Sequence, residues 1–249
     1  MRRTVRLITQ AFRDDPGLDT AASLALLGRV ASGRTSETFR LYVPGRSVQF
    51  GRMDTARPGY AEATAAAGTL GFTPVVRLAG GRAAVFHEAT LAFAWIVPEQ
   101  RTDRSIDERF ADLANVMVDA LRSLGLDPSI GEVPGEYCPG RYSVNLGGRR
   151  KVMGVGQRLV RGASHVGGVV VVDDADLVNR VLEPVYRALD YRWDPQATGS
   201  VAEAMAVGVS DVANAILAAM ATRYAVVPGS FDDETLSEAR RLAGVGPDR

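Results

Sequence analysis

Apolar positions along this chain change period several times, and each change marks an element. Ile106, Phe110, Leu113, Met117, Leu121 and Leu124 recur at helical spacing. Ser105-Ile106-Asp107-Glu108 ahead of them forms a capping box, and Gly125 supplies a stop, so a helix is predicted between them. Leu91, Phe93, Trp95 and Val97 alternate instead, which predicts a strand with one buried face. Val166 to Val172 is apolar without a break and reads as a fully buried strand.

Weaker patterns fill in the rest. Asp19 is placed to cap a helix carrying Leu24, Leu27 and Val30 on one face. Short strands are predicted near Phe39–Val43 and Val48–Phe50, and an alanine-rich helix from Tyr60 to Leu70, closed by Gly71. Val75–Arg77 and Arg82–His87 read as two strands joined by a Gly80-Gly81 turn. Val144 to Gln157 reads as a hairpin around Gly147-Gly148, after a glycine- and proline-rich loop from Gly131 to Gly140. A helix is expected from Asp174, disturbed by Pro184. Ser200-Val201-Ala202-Glu203 is a second capping box, predicted to open a helical tail that includes Asp211–Tyr224 and Asp233–Leu242.

Hairpins dominate the middle and helices are interspersed without a βαβ rhythm, so the expected class is α+β. Residues 1–195 are read as a catalytic domain and 196–249 as a helical extension of it.

Composition narrows the functional classes. With 249 residues and 46% hydrophobic positions the chain can bury a core. Twenty-nine basic residues balance 29 acidic ones, so net charge points to neither nucleic acid nor an acidic membrane. A single cysteine forms no internal disulfide and no multi-cysteine metal cluster, which suits a reducing compartment. Charge at Arg2 and Arg3 is followed by no apolar h-region, and no apolar run is long enough to span a bilayer. A cytoplasmic protein is expected. His87 and His165 are too few and too separated for a metal site, and each alone reads as structural.

The chemistry concentrates in two segments. One runs Arg77-Leu78-Ala79-Gly80-Gly81-Arg82-Ala83-Ala84-Val85-Phe86-His87, where paired glycines let backbone N–H groups approach a ligand. The other runs from Cys138 to Arg158. It holds the chain's single thiol and, 13 positions on, its single lysine, Lys151; the other 28 basic residues are arginine. Arginine does not replace a compact ammonium, and nothing replaces a thiolate nucleophile. Between Arg141 and Arg161 there are six basic residues and no acidic one, a strip suited to lowering a thiol pKa and meeting an acidic partner.

These segments resemble the lipoate-protein ligase and octanoyltransferase superfamily, which shares the biotin/lipoate protein ligase catalytic fold. Phe50-Gly51-Arg52-Met53-Asp54 resembles an early strand end of that family, Arg77–His87 its lipoate-pocket signature, and Gly148–Arg158 its lysine segment. Cys138-Pro139-Gly140 and His87-Glu88-Ala89-Thr90-Leu91 are closer to the cysteine octanoyltransferases than to the ATP-dependent ligases. Ser143 stands where many relatives carry Asp or Glu, which weakens an ATP/Mg²⁺ role.

The resemblance implies a mixed, mainly antiparallel sheet flanked by helices. It implies Cys138 as nucleophile and Lys151 as hydrogen-bond donor to the acyl carbonyl oxygen. Arg52, Arg77, Gly80, Gly81, Arg82, His87, Gly154, Gln157 and Arg158 would bind substrate. The implied reaction moves an octanoyl or lipoyl group to a lysine of a lipoyl carrier domain, with no further cofactor and no metal. The carrier would be a glycine cleavage H protein or a dehydrogenase E2 lipoyl domain, or the donor an acyl carrier protein. No nucleic acid or membrane partner is expected, and the protein is expected to be a monomer. Two alternatives stand beside this: an ATP-dependent lipoate–protein ligase and a non-catalytic lipoyl-carrier binding protein.

Overall fold

A computed structural model describes residues 2–99 and 105–245. In chain order the elements are β1 (Thr4–Ile8), α1 (Pro16–Ala31), β2 (Thr38–Tyr42), β3 (Ser47–Phe50), α2 (Arg52–Thr55), α3 (Tyr60–Thr69), β4 (Thr73–Val76), β5 (Ala84–Phe86) and β6 (Thr90–Pro98). They continue with α4 (Ile106–Ser123), β7 (Pro128–Ile130), β8 (Val144–Leu146), β9 (Arg150–Val160), β10 (Ala163–Val171), α5 (Ala175–Ala188), α6 (Val209–Arg223), β11 (Ala225–Pro228) and α7 (Asp233–Val245). The large sheet has the order β11-β1-β2-β6-β10-β9-β8-β7, and a small one the order β4-β3-β5. β1 runs parallel to both its neighbours, and the rest of the large sheet is antiparallel. This is the mixed, mainly antiparallel sheet flanked by helices that the α+β reading anticipates.

Both faces of the large sheet are covered. Phe39, Leu41, Leu91, Phe93, Trp95, Val166 and Val170 pack with Leu113, Met117, Ile216 and Met220 of α4 and α6. On the opposite face Ile8, Ile96 and Ala163 meet α1 and Phe231, while Ala92, Val169 and Val171 meet α5, α3 and the small sheet. β6 is therefore buried on both sides, not one. Its second face carries Ala92 and Ala94, small side chains that let other elements approach.

The capping box of α4 is present, with Ser105 Oγ accepting from Glu108 N at 3.1 Å and Glu108 Oε2 from Ser105 N at 2.6 Å. Ile106, read as part of its buried face, is instead 61% exposed. Asp19 does not cap α1. Asp15 does, accepting from Leu18 N, because Pro16 starts the helix a turn earlier. Asp19 is buried inside the helix and pairs with the fully enclosed Arg40 at 2.8 Å, fastening α1 to β2.

Other expectations change for topological reasons. β4 and β5 are not a hairpin, since β3 lies between them, parallel to β4 and antiparallel to β5. The Gly80-Gly81 segment therefore crosses the end of β3. α5 runs through Pro184 because Val181, Leu182, Val185 and Tyr186 remain buried on either side of it. Ser200 and Glu203 make half a box, Ser200 N to Glu203 Oε2 at 3.0 Å, but only turns follow. The next helix starts at Val209, with Asp211 Oδ2 accepting from Gly208 N at 2.8 Å. Beyond it, α6 packs on α4, β11 adds an edge strand beside β1 and α7 packs on α1. β1, β7 and β11 are too short to be marked by periodicity.

Both histidines are buried, and burial lowers their pKa, His165 to about 4. The folded chain holds them neutral while the unfolded chain protonates them below about 6.5. Their contribution is thus complete above that pH and lost as pH falls toward 4. The urea midpoint should drop between pH 7 and pH 4.5, and His165→Asn should flatten that drop. An unchanged slope in the variant would exclude His165 as its source.

Candidate active site

The site begins in the loop between β7 and β8. Glu136 is buried there and accepts four hydrogen bonds. Oε2 takes Val133 N at 2.9 Å, and Oε1 takes Gly140 N at 2.9 Å, Ser143 Oγ at 2.6 Å and Lys151 Nζ at 3.0 Å. Lys151, near the start of β9, also donates to Tyr137 O at 2.8 Å and Cys138 O at 2.7 Å, and its ammonium lies 4.7 Å from the Tyr137 ring centre. Both charged side chains are 0% exposed. The loop is thus wrapped around an ion pair.

Cys138 follows with φ +43°, a left-handed backbone that a residue with Cβ rarely adopts. Its N–H is held at 3.0 Å by the Tyr186 hydroxyl of α5, which itself donates to Ala83 O at 2.9 Å. One phenol joins the cysteine loop to the Arg77–Ala83 segment. The thiol Sγ faces Arg77 Nη2 at 3.3 Å and Arg82 N at 3.2 Å. Burial pushes the thiol pKa up, but the charges of Arg77 and Lys151 and the two hydrogen bonds outweigh it, and the net direction is down.

Two glycines make this approach possible. A Cβ on Gly81, where φ is +107°, would lie 2.3 Å from Arg77 Nη2 and 2.8 Å from Cys138 Sγ. A Cβ on Gly51 would lie 1.7 Å from Gly81 O. The Gly51 segment therefore packs on the Gly81 segment, and the Gly81 segment on the sulfur.

A cleft of about 400 Å³ opens at the thiol, lined by Gly80, Gly81, Phe110, Cys138, Tyr142 and Gln157 among others. Phe110 and Tyr142 stack at 5.3 Å, and the exposed Ile106 sits on its rim. A smaller interior chamber of about 60 Å³ is lined by Arg77, Leu78, Phe86, Phe93, His165 and Gln49. Arg77 borders both the chamber and the sulfur.

Of the residues singled out in the sequence, Cys138, Gly80, Gly81 and Gln157 line the cleft, and Arg77 and Arg82 touch the thiol. Arg82 also stacks on Tyr191 at 4.5 Å. Gly154 lies beside the Lys151 side chain. Arg52 opens α2 directly after Gly51. Two residues are not brought to the thiol. His87 turns into the β5–β6 connection, where its backbone N–H bonds Thr90 Oγ1 and its Nδ1 accepts from Ala89 N. Arg158 lies on β9 opposite His165. Lys151 is beneath the loop and lines neither the cleft nor the chamber. The basic strip divides: Arg141 sits on the cleft lip, 3.7 Å from Asp107, while Arg150 bonds Thr198 O at 3.0 Å.

Sequence reasoning misses Glu136 and Tyr186. Glu136 is the acidic residue two positions before the thiol. Tyr186 is a polar-tipped aromatic on the Val178, Val181, Leu182, Val185 stripe, which reads simply as core.

The mixed sheet flanked by helices is the fold of solved lipoate-protein ligases. Two solved structures of a putative lipoate protein ligase from T. acidophilum overlay on the chain, the one with bound lipoic acid at TM-score 0.79 and 20% identity, covering 98% of this chain and 96% of that one. A lipoate-protein ligase A bound with ATP gives 0.78 and 21%, covering 98% and 95%. The model of the lipoyl protein ligase A/B catalytic domain matches residues 15–221, and the chain belongs to that family. An octanoyl-[GcvH]:protein N-octanoyltransferase of Geobacillus kaustophilus is 32% identical over 179 residues, 70% of this chain and 60% of that protein. A lipoyl-[GcvH]:protein N-lipoyltransferase of Listeria monocytogenes is 25% identical over 148 residues, 58% of this chain and 53% of that protein. The chain thus spans about half to two thirds of the length of these curated relatives.

Tyr186→Phe keeps the ring but removes the hydroxyl, leaving the Cys138 N–H without its partner. An unsatisfied buried donor costs about 1–3 kcal/mol. Urea denaturation should register that loss, and the pH profile of Cys138 alkylation should shift with it. A wild-type alkylation profile would mean that the phenol does not position the thiol.

Proposed function

We propose that this chain is an acyltransferase that takes an octanoyl or lipoyl group onto Cys138 as a thioester and passes it to a lysine of a lipoyl carrier domain. The observation that carries the reading is the half-buried thiol held between the Arg77 guanidinium and the Arg82 amide at the mouth of a cleft. A thiol of lowered pKa there carries more of the nucleophilic thiolate than a free cysteine does. The relatives named as octanoyl-[GcvH] and lipoyl-[GcvH] transferases support an acylated glycine cleavage H protein as donor. A dehydrogenase E2 lipoyl domain is then the acceptor, and an acyl carrier protein the other donor class. The acyl group is substrate, and no further cofactor is needed.

The ligase alternative requires a magnesium-nucleotide at the same place. The donor set does not fit one. Both Glu136 oxygens are engaged by the loop, Asp107 on the cleft lip faces Arg141, and Ser143 donates into Glu136 instead of offering a carboxylate. A non-catalytic carrier-binding role leaves the charge arrangement around Cys138 without a use. Among the described residues no helix is long and apolar enough to cross a membrane. The reading takes the protein as a cytoplasmic monomer with no nucleic-acid or membrane partner, in keeping with its balanced charge and lone cysteine.

Incubation with octanoylated carrier should add one octanoyl mass to Cys138, visible by intact mass spectrometry. Cys138→Ala should lose both the adduct and transfer. Transfer at the wild-type rate in that variant would end the thiol reading, and pyrophosphate release from ATP dependent on lipoate would favour the ligase. Carrier encounter at a cleft lip that carries Arg141 should slow as salt rises from about 50 to about 300 mM, read as kcat/KM with kcat little changed.

A further inference from the structure

We propose that Arg109 is a positioning residue for the transfer. It takes the side-chain oxygen of Gln157, so that the Gln157 amide nitrogen faces the cleft and donates to the carbonyl oxygen of the acyl-lysine brought to Cys138. The proposal rests on the acyl-enzyme reading above and adds to it one contact with the substrate and the residue that sets it.

Arg109 lies in the first turn of α4, directly after the capping box of Ser105 and Glu108. It is 5% exposed and stands behind the cleft wall, outside the lining. Glu99, just after β6, is a counter-charge at 3.8 Å, and Glu99 Oε1 also accepts from Ser164 Oγ of β10 at 2.7 Å. A buried guanidinium needs such a counter-charge. Its second bond is of another kind: Arg109 Nε donates to the neutral side chain of Gln157 on β9, at Oε1, at 3.0 Å.

That bond fixes a direction. A guanidinium has donors and no acceptor, so the atom of Gln157 that meets it is the oxygen, and the nitrogen points away. Gln157 is half-buried and lines the cleft with Cys138, Gly80 and Gly81. Among the described residues its Nε2 has no partner. The other polar side chains of the lining, the thiol aside, engage one another at the lip. There Asp107 faces Arg141 at 3.7 Å and accepts from the Tyr142 hydroxyl. Gly156 seats β9 against the Gly80-Gly81 segment at the position next to Gln157, since a Cβ there would lie 2.8 Å from Gly80 O.

An amide turned this way offers the substrate a donor. An acyl-lysine in the cleft carries one carbonyl, the one that is attacked. A fixed donor presents that carbonyl to the sulfur in one orientation, and the hydrogen bond strengthens as charge develops on the oxygen. In the step itself the thiol gives its proton to water, the thiolate pair forms the S–C bond, and the carbonyl π pair moves to oxygen. When that pair re-forms C=O, the C–N bond to the donor carrier's lysine breaks, and the nitrogen takes a proton from water and leaves as an amine.

Acyl-enzyme formation from saturating octanoylated carrier is measured in single turnover by intact mass, beside the reaction of the same thiol with dithiodipyridine, which has no carbonyl. Gln157→Met should lose about tenfold in acylation, the scale of one hydrogen bond, and keep the wild-type pH profile of the dithiodipyridine reaction. Arg109→Gln offers an acceptor as well as a donor and lets the amide turn over, so it should lose acylation by a similar factor. The double variant should be no slower than the slower single one, because Arg109 acts through Gln157. Arg109→Lys, again a donor without an acceptor, should recover part of the rate. Wild-type acylation in Gln157→Met, a shifted thiol profile that accounts for its loss, or losses that multiply in the double variant would overturn the proposal. If Arg109→Gln does not fold by circular dichroism, Arg109→Lys is measured with and without Gln157→Met. Any loss it causes should then vanish beside Gln157→Met, and a loss that persists there overturns the proposal. Failure of the acyl-enzyme reading itself looks different: the wild-type protein then forms no Cys138 adduct at all.

Discussion

The buried pair between Glu136 and Lys151 is the interaction on which the site depends. Neither side chain has access to water, so each charge has the other as its buried counter-ion. The pair does more than cancel charge. Glu136 gathers the amides of Val133 and Gly140 and the hydroxyl of Ser143, and Lys151 gathers the carbonyls of Tyr137 and Cys138. A loop with no secondary structure of its own thereby satisfies its backbone groups in the interior. A hydrophobic pair of equal volume would fill the space but would leave those donors and acceptors unmet.

From this fixed loop the rest of the site follows by contact. Tyr186 holds the Cys138 N–H and the Ala83 carbonyl together, which brings two segments 55 residues apart to one point (138 − 83 = 55). Gly81 and Gly51 remove the side chains that would keep those segments apart. Arg77 then reaches the sulfur with one nitrogen and borders the interior chamber. Burial alone would raise the thiol pKa, and the cations and donors that burial also concentrates reverse that direction.

Much of this was legible in one dimension. The capping box of α4, the β8–β9 hairpin at Gly147-Gly148 and the apolar run of β10 are local patterns, and local patterns survive folding. The candidate residues were visible too, because a lone thiol and a lone lysine in an arginine-rich chain stand out by type. Less legible were roles that depend on distant partners. Asp19 looks like a cap and is a buried counter-ion for Arg40. Gly80-Gly81 looks like a hairpin turn and is a crossing over β3, because hydrogen-bond register between β3 and its two neighbours is set elsewhere in the chain. His87 carries the motif but packs away from the thiol.

The amino-acid sequence by itself determined the class of fold and the family, and it singled out the lone thiol, since each rests on residue types at short spacing. Tertiary structure alone decided what surrounds that thiol. It put Glu136 and Tyr186 into the site from positions that read as loop and core, and it turned Lys151 inward, away from the cleft. The physical reason is that a side chain's role at a site is set by which groups it meets after desolvation, and those groups come from across the fold.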